Sequence, residues 1–429
     1  MRSLLPARRT RCISWAPSGW LLSNTTAEVC TDFVTVTCPD DFLAVRAGFT
    51  NIKPEPYRVT KVIVAASSAL GDHANPTGEA IWRPLTFANQ GMALDNVVTA
   101  PDAPTTIVVQ GNQPDPATGD ASIPRWTWTD WVPLQSLPRT DQPNAPRVLM
   151  LRALLPRGCT FTHPNGGFLE FRDTAAINLG SSYVAGHVPV DAVTQPSTVH
   201  APGACLGIAN SVVSCIQFLT RNEGIVGMAA GDSHAQGTST TTQFWNYVMR
   251  ATLDFGSRHV GGVPFGYWST AQGGSQSDWF FATLCNVLDI ARPSFVVLPG
   301  WTYNDMNGTV HADRTANQAF FARLLLTAET CARAGAIPVF LTPLPRDPDA
   351  MTPMRATAWR ELRDQILALQ DGGAIVLDAA SMLGRRSGGV LDGTYDAAFS
   401  DDTVHPNNAG HDRIAAGLVP IIERVCGLI

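Results

Sequence analysis

The rhythm of hydrophobic and polar positions changes about halfway along the chain. Between 40 and 195, short apolar runs are cut repeatedly by Gly, Pro, Asn and Asp, and helical periodicity is almost absent. The runs predict strands at 42–49, 58–65, 105–110, 126–132, 147–154 and 167–171, separated by turns such as Asn165-Gly166-Gly167 and Asp115-Pro116. Many short strands with regular punctuation predict a β-sandwich-like domain.

From about 205 onward, strand-like runs alternate with amphipathic segments. Strands are expected at 225–230, 258–263, 295–298, 337–342 and 375–378, and helices near 242–255, 278–290, 314–334, 354–370 and 412–425. In the fourth helix Trp359, Leu362, Ile366 and Leu369 recur on one face. Alternating βαβ units imply a parallel sheet with helices on both faces, which binds ligands beyond the carboxyl ends of its strands. The expected organisation is therefore a leader over 1–39 without regular structure, a β-rich accessory domain over 40–195 and an α/β domain over 205–429. Pro196, Pro202 and Gly203 mark the linker. The apolar run 212–219, followed by Arg221-Asn222-Glu223-Gly224, suggests a hairpin with the first strand of the second domain.

Composition narrows the function classes. The chain has 429 residues, 45% hydrophobic and 15% charged, which suits a well-buried globular protein. Its net charge of −6 and the lack of a dense Lys/Arg stripe argue against nucleic acid and anionic membrane surfaces as partners. No run of apolar residues reaches transmembrane length. Arg2, Arg8, Arg9 and Arg11 make a basic start, but Pro17, Ser18 and Gly19 interrupt the apolar stretch after it. That departs from a clean secretory signal and leaves the compartment open, with secretion or a periplasmic location among the readings. The nine cysteines are scattered with no Cys-x-x-Cys, so zinc spacing is absent. Cys30 and Cys38 are the pair to test for a bridge if the protein is exported.

One tetrapeptide carries the most chemistry. Gly231-Asp232-Ser233-His234 ends the apolar run 225–230, which puts Ser233 in the tight turn after a buried strand. A serine there can be a nucleophile, provided that it has a base, an orienting acid and an oxyanion hole. Asp402-Thr403-Val404-His405 offers the base and the acid, with Asp401 as a competing carboxylate. Gly273 or Gly274, in Gly273-Gly274-Ser275, and Asn304, in Gly300-Trp301-Thr302-Tyr303-Asn304-Asp305, offer oxyanion donors beside the backbone N–H of Ser233. Ser233, Gly274, Asn304 and His405 each follow a predicted strand and so share one sheet edge. The competing view of each is a turn or capping residue. The serine is not in the elbow of α/β-hydrolases, because Ala235 stands where that turn needs glycine.

Four blocks in this order resemble the SGNH, or GDSL-like, hydrolase family: Gly231-Asp232-Ser233, Gly274-Ser275, Asn304-Asp305 and Asp402-x-x-His405-Pro406-Asn407. The resemblance covers about 205–429 and favours Gly274 over Gly273 and Asp402 over Asp401. It implies a flavodoxin-like three-layer α/β/α fold and hydrolysis of carboxylic esters without metal or organic cofactor. Ser233 would be the nucleophile, His405 the base and Asp402 its partner, with Ser233, Gly274 and Asn304 as the oxyanion hole. The segment before Asn304 is longer than the family pattern and brings Trp301 and Tyr303 toward the expected pocket rim.

Aromatic residues bear on the substrate. Trp268, Trp301 and Tyr303 flank the catalytic edge and would suit a short acyl chain or a sugar face. Trp126, Trp128 and Trp131 would suit sugar stacking on the accessory domain, although core or interface packing is favoured. The expected substrate is a small-molecule or carbohydrate ester with a short acyl group, acetyl above all. A lipolytic esterase with a longer acyl preference is the rival enzyme. A carbohydrate-binding or surface protein with an inactive hydrolase domain is the rival class. A metallohydrolase is disfavoured because His73, His163, His187, His200, His259 and His311 show no paired ligand spacing.

Overall fold

In the computed structural model the described residues are 9–16, 20–24, 29–37, 42–67, 82–87, 106–114, 122–133, 137, 148–164, 183–187, 212–240, 245–258, 264–306 and 314–427. Two compact units emerge, one made chiefly of Ile225–Gly261 and Phe265–Ile429, the other of Arg11–Gly224 with Gly262–Pro264.

The first unit is built on a parallel sheet. Its strands are β1 (Cys215–Ala229, of which Ile225 onward belongs here), β2 (Phe265–Ser269), β3 (Phe295–Leu298), β4 (Ile337–Leu341) and β5 (Ile375–Leu377). Their order is β2-β1-β3-β4-β5, all parallel. The apolar run from Ile225 to Ala230 and all of β3 are buried, as expected of strands covered on both faces.

The helices are α1 (Ser233–Gln236), α2 (Tyr247–Arg258), α3 (Ser277–Ala291), α4 (Arg314–Arg333), α5 (Pro353–Ala368), α6 (Ala379–Leu383) and α7 (Asn408–Val425). From β1 the chain steps one way to β2, then returns past β1 to β3, β4 and β5. Right-handed crossovers then place α2 on one face and α3, α4 and α5 on the other. Packing agrees: Arg250 of α2 donates to Asn408 of α7 at 2.7 Å, and Phe281 of α3 meets Phe320 of α4 at 5.9 Å between ring centroids. The order reverses at β1, so the loops after β1, β2 and β3 flank the switch point where such sheets bind ligands.

Several boundaries differ from the pattern. The strand expected at 258–263 is Phe265–Ser269 instead. Helix α2 runs on to Arg258, whose guanidinium grips Asp254 one turn earlier at 2.8 and 3.0 Å; residues 259–263 lie outside the described ones. The hairpin expected around 212–224 is one continuous strand, since Arg221, Asn222 and Glu223 are exposed strand residues rather than a turn. The leader is not without structure: Thr10–Ala16, Trp20–Asn24 and Val29–Thr37 are strands.

Among its described residues the second unit is almost wholly β. One antiparallel sheet has the order Tyr183–His187, Val29–Thr37, Val148–Leu155, Lys61–Ser67, Arg83–Pro84. Phe42–Asn51 pairs antiparallel with Arg125–Trp128, Val132–Pro133 and residues 215–220. The expected strand 58–65 splits into Tyr57–Val59 and Lys61–Ser67; the one expected at 167–171 lies outside the described residues, as do Cys38 and most of the linker. Trp128 and Trp131 are buried, and Arg46 lies between them with its Cζ 4.6 Å from each ring centroid. The Arg46 guanidinium donates to Gln217 at 2.7 Å, and Gln217 to Ser14 at 2.9 Å. These tryptophans therefore sheathe a buried cation, and Trp126 is half-buried against Trp128.

Candidate active site

The turn after β1 is shaped by backbone constraints. Gly231 has φ +141°, and a Cβ there would come within 2.7 Å of the Ala235 Cβ, so glycine is required twice over. Asp232 follows as the N-cap of α1, its Oδ1 accepting from the His234 N–H at 3.0 Å. Ser233 is thereby presented on the first residue of the helix, half-buried.

The last loop before α7 meets it. Nε2 of His405 lies 2.9 Å from the Ser233 hydroxyl oxygen, and Nδ1 lies 2.8 Å from Oδ2 of Asp402. With Nδ1–H donating to the carboxylate, Nε2 is free to accept the serine proton. Asp402 is fixed in turn. Its Oδ1 accepts from the backbone N–H groups of Val404 at 2.8 Å and His405 at 2.7 Å, and its Oδ2 from Ser239 at 2.9 Å. Thr403 adopts φ +62° to close this turn. Partial burial would raise the Asp402 carboxyl, but the His405 and Val404 donors and Ser239 outweigh it and hold it well below the ordinary carboxylate value. His405 is pushed below the ordinary histidine value, first by burial and then by the neighbouring His234, against the pull of Asp402. Both directions suit a neutral base beside an ionised partner at neutral pH.

Two further loops bring the remaining residues. Gly274 has φ +79°, and a Cβ there would meet nothing within 4 Å. Its turn spends the adjacent amides, Gln272 N–H on Gly231 O at 3.0 Å and Ser275 N–H on Gln272 O at 3.1 Å, while no acceptor takes the Gly274 N–H among the described residues. At Gly273, by contrast, a Cβ would fall 2.6 Å from Gln236 Oε1. Asn304 lies in a short 3₁₀ turn, Tyr303–Met306. One of its amide hydrogens goes to Ser275 O at 2.9 Å, which leaves the other to a ligand. Asp305 accepts from the Ser277 N–H at 2.8 Å and so caps α3 from outside, while Gln276 donates to Asn304 O at 3.2 Å. The loop bearing Asn304 is thus clamped to the helix that follows Gly274.

The aromatic residues expected at the rim divide. Trp268 is fully buried in β2, and Trp301 is buried with its indole N–H donating to Leu344 O at 3.1 Å. Both belong to the core, because a strand interior and a satisfied indole leave nothing to offer a ligand. Tyr303 alone remains half-buried at the edge, with the Arg346 guanidinium stacked on its ring. His411, in the first turn of α7, is buried against Tyr247 and takes no part. The pattern did not single out His234. It is buried, and its ring lies 5.2 Å from that of His405 between centroids. Its place next to the serine in the motif was the only signal available.

Among the described residues no group of three His, Cys, Asp or Glu is arranged to hold a metal ion, and no helix is long and apolar enough to cross a membrane. No family model matches the chain, and no curated protein does. Solved structures do. A GDSL-like lipase from Bacteroides thetaiotaomicron is similar at 17% identity, with 46% of this chain and 88% of that one covered and a TM-score of 0.36. An acetylxylan esterase from Geobacillus stearothermophilus is similar at 17% identity, with 48% and 94% covered and a TM-score of 0.36. The lipase/acylhydrolase from Enterococcus faecalis is similar at 14% identity, with 47% and 96% covered and a TM-score of 0.34.

Proposed function

We propose that the chain is a serine esterase of the SGNH type, cleaving carboxylic esters in two steps. Ser233 attacks the ester carbonyl as His405 takes its proton. The alcohol leaves with that proton, and water, activated by His405, then hydrolyses the acyl-enzyme. Asp402 fixes the His405 tautomer and stabilises the imidazolium. The backbone N–H groups of Ser233 and Gly274 and the Asn304 amide receive the negative charge of the tetrahedral intermediate.

The observation that carries this reading is the unbroken line from Ser233 through His405 to Asp402, with steps of 2.9 and 2.8 Å. A turn serine or a helix-capping histidine would have no need of it. The substrate assigned is a short acyl ester, acetyl in the first place, on a small molecule or carbohydrate. With Trp268 and Trp301 in the core, Tyr303 is the aromatic residue left to meet it. The β-rich unit is assigned as a sandwich-like accessory domain.

The test is hydrolysis of p-nitrophenyl esters from acetyl to long acyl chains, with Ser233→Ala as control. Turnover that falls with chain length and vanishes in the variant supports a short-acyl esterase. A preference for long chains would make it lipolytic, and equal activity in the variant would remove Ser233 from the mechanism.

A further inference from the structure

His234 lies off the Ser233–His405–Asp402 line, yet both its ring nitrogens are engaged. Nδ1 is 2.9 Å from Oδ1 of Asp232, and Nε2 is 2.8 Å from the carbonyl oxygen of Val404. A peptide carbonyl can only accept. The Asp232 carboxylate already accepts the His234 backbone N–H at 3.0 Å on Oδ1 and the Thr302 hydroxyl at 2.6 Å on Oδ2. Burial would raise Asp232, but His234 and Thr302 outweigh it and hold the carboxyl at about 2, so it is ionised. A neutral imidazole has one N–H and one lone pair. Either neutral tautomer would turn a lone pair toward an oxygen at hydrogen-bond distance in a buried place. Only the imidazolium donates to both.

We propose that His234, donating from both ring nitrogens, is a positioning residue for the His405 base, forming with Asp232 a second Asp–His pair that binds the nucleophile turn to the base loop. This rests on the reading of His405 as the base. The peptide between Val404 and His405 is held at both ends: His234 donates to its C=O, and Asp402 accepts from its N–H at 2.7 Å. The backbone that carries the base is thus fixed from the serine side as well as from its own loop. The His234 cation also faces the His405 ring and disfavours a second positive charge there, keeping the base neutral until the serine proton arrives. The groups acting on His405 are Asp402 on its own loop and Asp232 and His234 on the nucleophile turn; His411 on α7, held neutral by burial, faces it without adding charge. Behind His411 stands Arg250 of α2, and Tyr395, buried and neutral, approaches Asp232 and Asp402.

The experiment is the pH profile of kcat/KM for the full chain, His234→Gln and Asp232→Asn/His234→Gln. At 5.2 Å, removing the cation should move the acidic limb up by about half a unit under water-like screening and about two units under protein-surface screening. The double variant, which loses both charges, should shift less. A kcat lowered evenly at every pH with the limb unmoved would overturn the proposal. Histidine ¹⁵N spectra of the wild-type chain need neither a variant nor a substrate. Protons on both His234 ring nitrogens at a pH where His405 carries one are expected, and a one-proton His234 would overturn the pairing. Spectra as expected with no ester hydrolysed would instead count against the esterase reading and leave the Asp232–His234 pair standing.

Discussion

Asp402 holds His405 twice: one carboxylate oxygen meets the ring Nδ1 at 2.8 Å, and the other meets the backbone N–H at 2.7 Å. One side chain therefore sets both the rotation of the imidazole and the course of the chain beneath it. Replacing Asp402 with Asn should lower kcat by roughly 10⁴-fold, because the amide favours the wrong tautomer. Steady-state kinetics at neutral pH would check this, and a loss under tenfold would point to Asp401 as the working carboxylate.

Ser233→Ala and His405→Ala should each lower kcat by about 10⁴-fold or more while the melting temperature moves by only a few degrees. Neither residue is fully buried, so circular dichroism melts would separate a chemical loss from unfolding.

Asn304→Ala should lower kcat by roughly 10²- to 10³-fold with KM little changed, as expected for a donor used in the transition state. Gly274→Ala should also lower kcat and should cost about 1–3 kcal/mol from backbone strain alone, since space is open but φ is +79°. Kinetics paired with urea unfolding would resolve the two effects.

The pH dependence follows from His405, which lies below its ordinary value of 6.5. His405 stays neutral to lower pH than a free histidine, so with His405 as the proposed base the acidic limb of kcat/KM should fall below pH 6.5. Asp232 adds a stability term. Its value drops from 3.8 to about 2, so its contribution, about 2 kcal/mol at ~1.4 kcal/mol per unit, is complete above pH 4 and lost as pH falls through 2. Urea unfolding of Asp232→Asn should show a flatter decline across that window.

Trp301→Phe tests the core assignment. Loss of the indole bond to Leu344 O should cost about 1 kcal/mol, with KM for small esters unchanged. A raised KM would return Trp301 to the pocket.

The parallel sheet and the meeting of the Ser233, Gly274, Asn304 and His405 loops were legible because each signal is local. An apolar run followed by Gly-Asp-Ser, or by Asp-x-x-His, carries its geometry within a few residues. What stayed hidden depends on distant partners. Trp268 and Trp301 look alike in a pattern whether they face a pocket or a neighbouring strand, and only the fold supplies Leu344 O. Arg221, Asn222 and Glu223 read as a turn because polarity is visible in sequence, whereas the extended backbone beneath them is set by pairing. The double engagement of His234 needed Val404, 170 positions away.

The loop carrying Asn304 and the segment that opens α3 share four bonds: Asn304 to Ser275 O, Gln276 to Asn304 O, and both the amide and the hydroxyl of Ser277 to Asp305. The helix has no side-chain cap of its own at Gln276. The Asn304 loop and the start of the helix therefore hold each other in place. On the mechanism proposed above, a chain that has lost this end of α3 keeps Ser233 but loses the Asn304 donor, so turnover would report on this helix end.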